Sequence, residues 1–266
     1  MTDPLLLAIR ATEILWGISL IVQTVEFLRL IQPMSANGVW SFDIQQDDLS
    51  HAAKPIKLLF AFMAREKIYR AHLIFRLMAA CLLIAFGSSL SLLLFLFLGT
   101  PIILARWRGA FNGGSDFMTI TVLTGLLIGS LGAALGEHDL AWQAGLIYIA
   151  IHSASSYFLS GGVKLFNADW RHGKALPLFL DGSIYGPLSK QSPFWKVPVS
   201  ILTSWAFILW EVAIPLAFLH PLLMLIYCGI GCVFHFLVFW FFGLNRFFFA
   251  WLATYPALLF AAFQLN

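Results

Sequence analysis

Residues 221–242 read PLLMLIYCGIGCVFHFLVFWFF, without a single Asp, Glu, Lys or Arg. The hydrocarbon core of a bilayer is about 30 Å thick, and a helix needs roughly 20 apolar residues to cross it. This stretch has both the length and the composition, so it predicts a transmembrane helix. Working outward from it, runs of the same character fall at 5–31, 70–86, 88–106, 117–136, 141–165, 199–219 and 246–264. Together they make about eight spans. GSSLS at 87–91 reads either as a turn between two short helices or as the inside of one bent helix, which would leave seven. The expected fold class is all-α: a polytopic transmembrane helical bundle forming a single domain over residues 1–266.

The composition agrees with lipid as the solvent. Hydrophobic residues make up 60% of the chain and charged residues 11%, against about 45–50% and about 25% in soluble domains. No soluble core hides that much apolar surface. The net charge of +3 is too small and too scattered to point to nucleic acid. The first apolar stretch has no basic region before it and carries Arg10, Glu13, Glu26 and Arg29. It therefore reads as a retained helix and not as a cleavable signal.

Between the spans lie a polar loop at 33–57, a basic and apolar segment at 57–69 that predicts an interfacial helix, and the longest polar stretch at 167–198. Three basic groups compete to set orientation: Lys54 to Arg76, Arg106 with Arg108, and Arg171 to Lys196. The loop at Arg106 and Arg108 and the loop after Lys164 are expected on opposite sides, so the positive-inside rule does not decide the topology.

Ionisable groups inside spans are the main pointers to function, because each costs several kcal/mol unless paired or hydrated. On the first helix, Arg10 with Glu13 and Glu26 with Arg29 have the i,i+3 spacing of ion pairs on one face. In the fifth span His152, Ser156, Ser160 and Lys164 recur every four residues. Each such step turns 400° on an α-helix, so the row drifts about 40° per turn and forms one polar stripe. Gly161 and Gly162 beside it allow a close approach. Lys164 has two readings: an ammonium that snorkels to the headgroups, or an amine facing a cavity and acting as a base. A snorkelling lysine needs no polar stripe. Glu211 lies mid-span four residues before Pro215, and either it or Asp169 has the reach to meet Lys164. His235 is central in its own span.

Other chemistries lack support. The sequence has no GxxxxGK[ST], HExxH, GxSxG, strand-borne GxGxxG or CxxCH motif, which removes nucleotide hydrolysis, zinc proteolysis and serine hydrolysis. Cys81, Cys228 and Cys232 all lie in apolar runs and give no disulfide framework. Cys228, Cys232 and His235 share a helical face, but without a fourth ligand they read as packing residues and no metal is expected.

The stretch YFLSGGVKLFNADWRHGKAL, residues 157–176, resembles the lysine-bearing segment of the membrane part of vitamin K-dependent γ-glutamyl carboxylases and the wider HTTM family. The chain has one extra residue between Lys-Leu and Asp-Trp. GSDFMTITVL (114–123), EVAIPLAF (211–218) and FHFLVFWFFGLNRFFFAWLATYP (234–256) resemble further segments of that family in the same order, and together they cover about half the chain. The resemblance implies that Lys164 is the catalytic base toward a quinone or vitamin K-like hydroquinone. It implies that His152, Ser156 and Ser160 line the path, that Asp169 and Trp170 fix the helix end, and that Glu211 and His235 are relay groups. The carboxylases carry a large extramembrane portion after the helices, whereas this chain ends at Asn266. A separate partner protein supplying peptide recognition, and residence in a bacterial inner membrane, are the corresponding expectations. The alternative is a non-catalytic membrane subunit or a small-molecule transporter.

Overall fold

The computed structural model describes residues 3–106 and 113–266; Arg108, one of the basic residues weighed for orientation, lies outside them. Every regular element among the described residues is a helix. In chain order they are α1 (Pro4–Arg29), α2 (Phe42–Gln45), α3 (Lys54–Met63), α4 (Glu66–Phe86), α5 (Leu90–Arg106), α6 (Gly113–Ala134) and α7 (His138–Phe166). They continue as α8 (Ala168–Arg171), α9 (Ala175–Asp181), α10 (Val197–Val212), α11 (Ile214–Ala217), α12 (Pro221–Phe242), α13 (Asn245–Leu252) and α14 (Tyr255–Gln264). The all-helical architecture matches the expectation.

Local chemistry fixes the ends. The Asp3 side chain accepts from the Leu5 amide at 2.9 Å and Pro4 occupies the first turn of α1, which supplies one of the donors a helix start leaves unpaired. Gly87, at φ 85°, ends α4, and α5 begins at Leu90. GSSLS is therefore a turn between two helices. The predicted interfacial segment at 57–69 is divided instead: α3 ends at Met63 and Glu66 already starts α4. No residue of α3 is buried against the rest of the chain, as fits an amphipathic helix lying in an interface.

Six rods are long and apolar enough to cross a membrane: α1, α4, α6, α7, α12, and α13 continued by α14. The rods α5 and α10, with 17 and 16 residues, are shorter. Large apolar side chains such as Phe75, Leu98, Leu159 and Leu202 are exposed on the outside of the bundle. They suit a lipid solvent, and the apolar helices imply a bilayer environment for the chain.

The rods alternate in direction, and side-chain contacts at their ends show it. Arg10, near the start of α1, donates to the carbonyls of Leu83 and Ile84 at the end of α4. At the opposite end Arg106 of α5 donates to the Met34 carbonyl and Gln45, and Arg246 of α13 reaches Glu26 and Asp116. Among the described residues the long connections, at 30–65 and 167–196, thus belong to one end. The other end has only the turns 87–89, 135–137 and 218–220. The end of α5 at Arg106 and the connection after Lys164 consequently share an end of the bundle, because two helices, α6 and α7, separate them. The expectation of opposite sides is corrected.

The core joins α1, α6, α7, α12 and α14 around Trp16, Leu20, Met118, Ile149 and Leu258. The tightest crossing is α6 on α7: a Cβ on Gly145 would lie 2.2 Å from the Gly125 carbonyl oxygen. Only glycine lets the two backbones meet there.

Two buried polar systems tie the rods together. Glu13 is held by Arg10 and accepts from the Ser88 amide at 2.8 Å and from the Ser88 hydroxyl, which locks the α4–α5 turn to α1. At the loop-rich end, Glu26 does not pair with Arg29 as its spacing predicted. It accepts from Asn245 at 2.6 Å and lies 3.3 Å from Arg246 Nε. Arg246 also lies 3.3 Å from Asp116, Gln23 donates to Asp116 at 3.4 Å, and Arg76 donates to Gln23 at 2.6 Å and to Thr24 at 3.1 Å. Two cations and two carboxylates drawn from α1, α4, α6 and α13 thereby neutralise one another, Arg76 and Asp116 fully buried and Glu26 partly exposed.

Candidate functional site

Helices α7 and α10 run antiparallel, with the long connection 167–196 between them. Ser200 near the start of α10 donates to the Gly173 carbonyl, and Trp205 donates to the Arg171 carbonyl at 3.2 Å. Three turns further along, Glu211 comes level with the last turns of α7. Gly161 makes this approach feasible, since a Cβ there would lie 2.8 Å from the Glu211 Cβ and 2.7 Å from a Val212 methyl. Gly162 faces open space.

At this crossing Lys164 Nζ sits 2.7 Å from Glu211 Oε2 and 2.8 Å from Oε1. It also donates to Ser160 Oγ at 2.6 Å, and Ser160 donates to Glu211 Oε1 at 3.1 Å. The Lys164 side chain is 18% exposed and Glu211 5%. The ammonium thus turns into the interface between two helices and does not snorkel outward. A charge-assisted bond to both carboxylate oxygens offsets much of the cost of removing the pair from water. The Trp170 ring covers the ammonium at 5.4 Å, within cation–π range.

Trp170 is placed by α8, whose first amides, those of Asp169 and Trp170, are capped by the Asn167 side chain at 2.9 and 3.4 Å. Its ring meets Phe179 of α9 at 5.5 Å. Beyond it lies an open groove of about 580 Å³ lined by Asp169, Trp170, Leu178, Phe179 and Phe242 among others. The lining is mostly apolar and the groove is open along its length. Lys164 and Glu211 do not line the groove; Trp170 stands between them and it. Asp169 is exposed at the groove wall and does not pair with Lys164.

The sequence-derived stripe is brought together only in part. Ser160 and Lys164 meet Glu211, and Ser156 is half-buried one turn before them. His152 is turned elsewhere, its ring tilted against Tyr148 at 4.3 Å and 6.0 Å from Phe117 of α6. The cause is the drift of about 40° per step, which by residue 152 has carried the row well round the helix.

The row that α7 buries completely is one position ahead: Ser153, Tyr157 and Gly161. The Tyr157 hydroxyl lies 2.6 Å from His235 Nε2 and 3.1 Å from the Tyr255 hydroxyl, and Ser153 lies 3.0 Å from Thr254. Trp251 stacks on His235 at 4.9 Å, and Trp210 and Tyr227 enclose Tyr157 at 5.3 and 5.5 Å. His235 therefore belongs to this aromatic centre and not to the Lys164 pair. Cys228 is buried nearby and, like Cys232 and Cys81, is a free thiol. Among the described residues no three His, Cys, Asp or Glu side chains come together as a metal centre.

Sequence reading missed Tyr157, Tyr255, Gln23, Arg76, Asp116 and Arg246. A tyrosine in an apolar helix was the available signal for the first, since a buried hydroxyl needs a partner. The charged members lie on separate helices with no shared spacing. No protein-family model, curated protein or solved structure matches the chain.

Proposed function

We propose that the chain is an eight-crossing membrane protein of the HTTM type, in which Lys164 and Glu211 form a proton-handling site for a lipophilic molecule bearing a phenolic hydroxyl. One observation carries the reading: an ammonium bonded to both oxygens of a carboxylate at the crossing of two helices, beside an aromatic groove of about 580 Å³. The shorter rods α5 and α10 complete the eight crossings, because each connects one end of the bundle to the other.

The aromatic walls of the groove, Trp170, Phe179 and Phe242, suit the ring of a quinone or vitamin K-like hydroquinone. Such a group supplies a weakly acidic hydroxyl when bound. Lys164 accepts a proton only as a neutral amine, and Glu211 is the residue to which its own proton passes, along the 2.7 Å contact. Ser160, bonded to both, keeps the amine aimed as the proton moves. Trp170 must swing off the ammonium for a ligand in the groove to reach it. Asp169 stands at the groove wall where a polar ligand group enters. In this reading the peptide-recognition part of a carboxylase-like reaction comes from a separate partner protein, and the chain resides in a bacterial inner membrane.

The test is native mass spectrometry of the detergent-purified protein after incubation with a naphthohydroquinone. The wild type retains the adduct; Lys164→Ala and Glu211→Gln lose it while eluting as folded protein. Lys164→Arg keeps the fold and loses proton transfer, since a guanidinium does not act as a base near neutral pH. Equal retention by all variants removes Lys164 from the site. Flux of a solute into proteoliposomes, with no covalent product, replaces the enzyme reading by a transporter.

A further inference from the structure

The distribution of positive charge over the two ends of the bundle is more lopsided than the sequence alone reveals. Of the 16 lysines and arginines, Arg108 lies outside the described residues. Arg76 sits in the middle of α4, and Arg10 lies toward the end that carries the short turns. Every other one is at the loop-rich end: in the connections 30–65 and 167–196, in the helix turns that flank them, at the end of α5 (Arg106) or at the start of α13 (Arg246). The turns 87–89, 135–137 and 218–220 contain no lysine or arginine, and 135–137 adds Glu137 with Asp139 just beyond it.

Two further features belong to the loop-rich end. Tyr185, Trp195 and Trp240 are exposed there, with Tyr185 and Trp240 6.3 Å apart, as in the aromatic belts that sit at headgroup level. The amphipathic helix α3, begun by Lys54 and containing Lys57, buries no residue against the bundle. Short basic loops are retained on the cytoplasmic side during insertion, where the leaflet is anionic, and acidic residues weigh little in that choice.

We infer that the loop-rich end, with α3, the 167–196 connection and the mouth of the Trp170–Phe179 groove, lies against the anionic cytoplasmic leaflet. Arg171, Lys174, Lys190 and Lys196 face the phosphates of that leaflet, and the groove takes its occupant from the same leaflet. The turns at 87–89, 135–137 and 218–220 are on the far side. This orientation depends on the eight-crossing reading but not on the chemistry assigned to Lys164.

Single cysteines placed in exposed positions at the two ends test it. In intact bacterial cells expressing the full chain, a membrane-impermeant maleimide labels Glu137→Cys, and it labels Ser189→Cys only after the cells are permeabilised. Cys81, Cys228 and Cys232 lie within helices, so the unsubstituted chain sets the background. His138→Cys and Gln191→Cys repeat the test at neighbouring exposed positions should either first variant not accumulate. Labelling in the reverse order overturns the orientation and leaves the crossings standing. Labelling of both positions in intact cells removes the alternating crossings beneath it. Neither result depends on whether Lys164 binds or reacts with anything.

Discussion

Two groups of charged residues occupy the loop-rich half of the bundle, and they are built differently. The Glu26–Arg246–Asp116 group, extended by Gln23 and Arg76, draws on four helices, and its members are bonded to several others. Lys164 and Glu211 draw on two helices, share one serine, and are separated from an open groove by a single tryptophan ring. Both are neutral overall. The difference teaches that charge inside a membrane helix is not by itself a mark of chemistry. A charge locked by partners on every side fastens helices together; a charge with few partners and a nearby opening is available to a ligand.

The contrast breaks if the larger group is removed without penalty. Asp116→Ala leaves Arg246 short of a carboxylate in the interior and is expected to cost about 3–5 kcal/mol, read as a large drop in the thermal midpoint of the purified protein in detergent. The smaller group sharpens the comparison through a double substitution. Lys164→Met alone strands Glu211 and costs about 2–3 kcal/mol, whereas Lys164→Met with Glu211→Leu returns to within about 1 kcal/mol of wild type, because apolar residues replace a buried pair readily. A double variant as unstable as the single one would show that the pair fastens helices after all. Tyr157→Phe removes the bond to His235 and is expected to cost about 1–2 kcal/mol, measured by the same melts, with no change in ligand retention at Lys164. Smallest is Trp170→Leu, which loses a cation–π contact of about 0.5–1 kcal/mol and leaves stability nearly unchanged. In that variant the groove and the ammonium are no longer divided, so retention of a naphthohydroquinone changes while the melt does not.

Legibility in the sequence followed the same division. The apolar runs announced the rods, since length and composition alone decide whether a helix suits a bilayer. Lys164 and Glu211 stood out because a charge far along an apolar run is conspicuous. The Glu26 pairing was misassigned because spacing on one helix reveals only local partners, and Asn245 and Arg246 lie 219 and 220 positions away, at the start of another rod. The roles of Gln23, Arg76 and Asp116 were hidden for the same reason: they reach one another from different helices. Tyr157 was hidden by its apolar ring, and only the fold shows that its hydroxyl meets His235. The side on which each loop lies was recoverable from the order of the spans, and the structure corrects that reading through contacts at the helix ends.

The turns at 87–89, 135–137 and 218–220 have a mechanical consequence. They join neighbouring rods in pairs at one end by short turns, whereas the other end is held by side-chain contacts between the long connections and the rods. From His138 to Lys164 the shaft of α7 is about 39 Å long at 1.5 Å per residue. Glu211 meets it from a rod that is broken at Ala213 ahead of Pro215. A tilt of α7 by about 5° about its pinned end would carry the Lys164 ammonium roughly 3 Å, enough to part it from the carboxylate. The close contact of Gly161 with Val212 lies beside the pair, so a tilt that parts the charges has to open that packing as well.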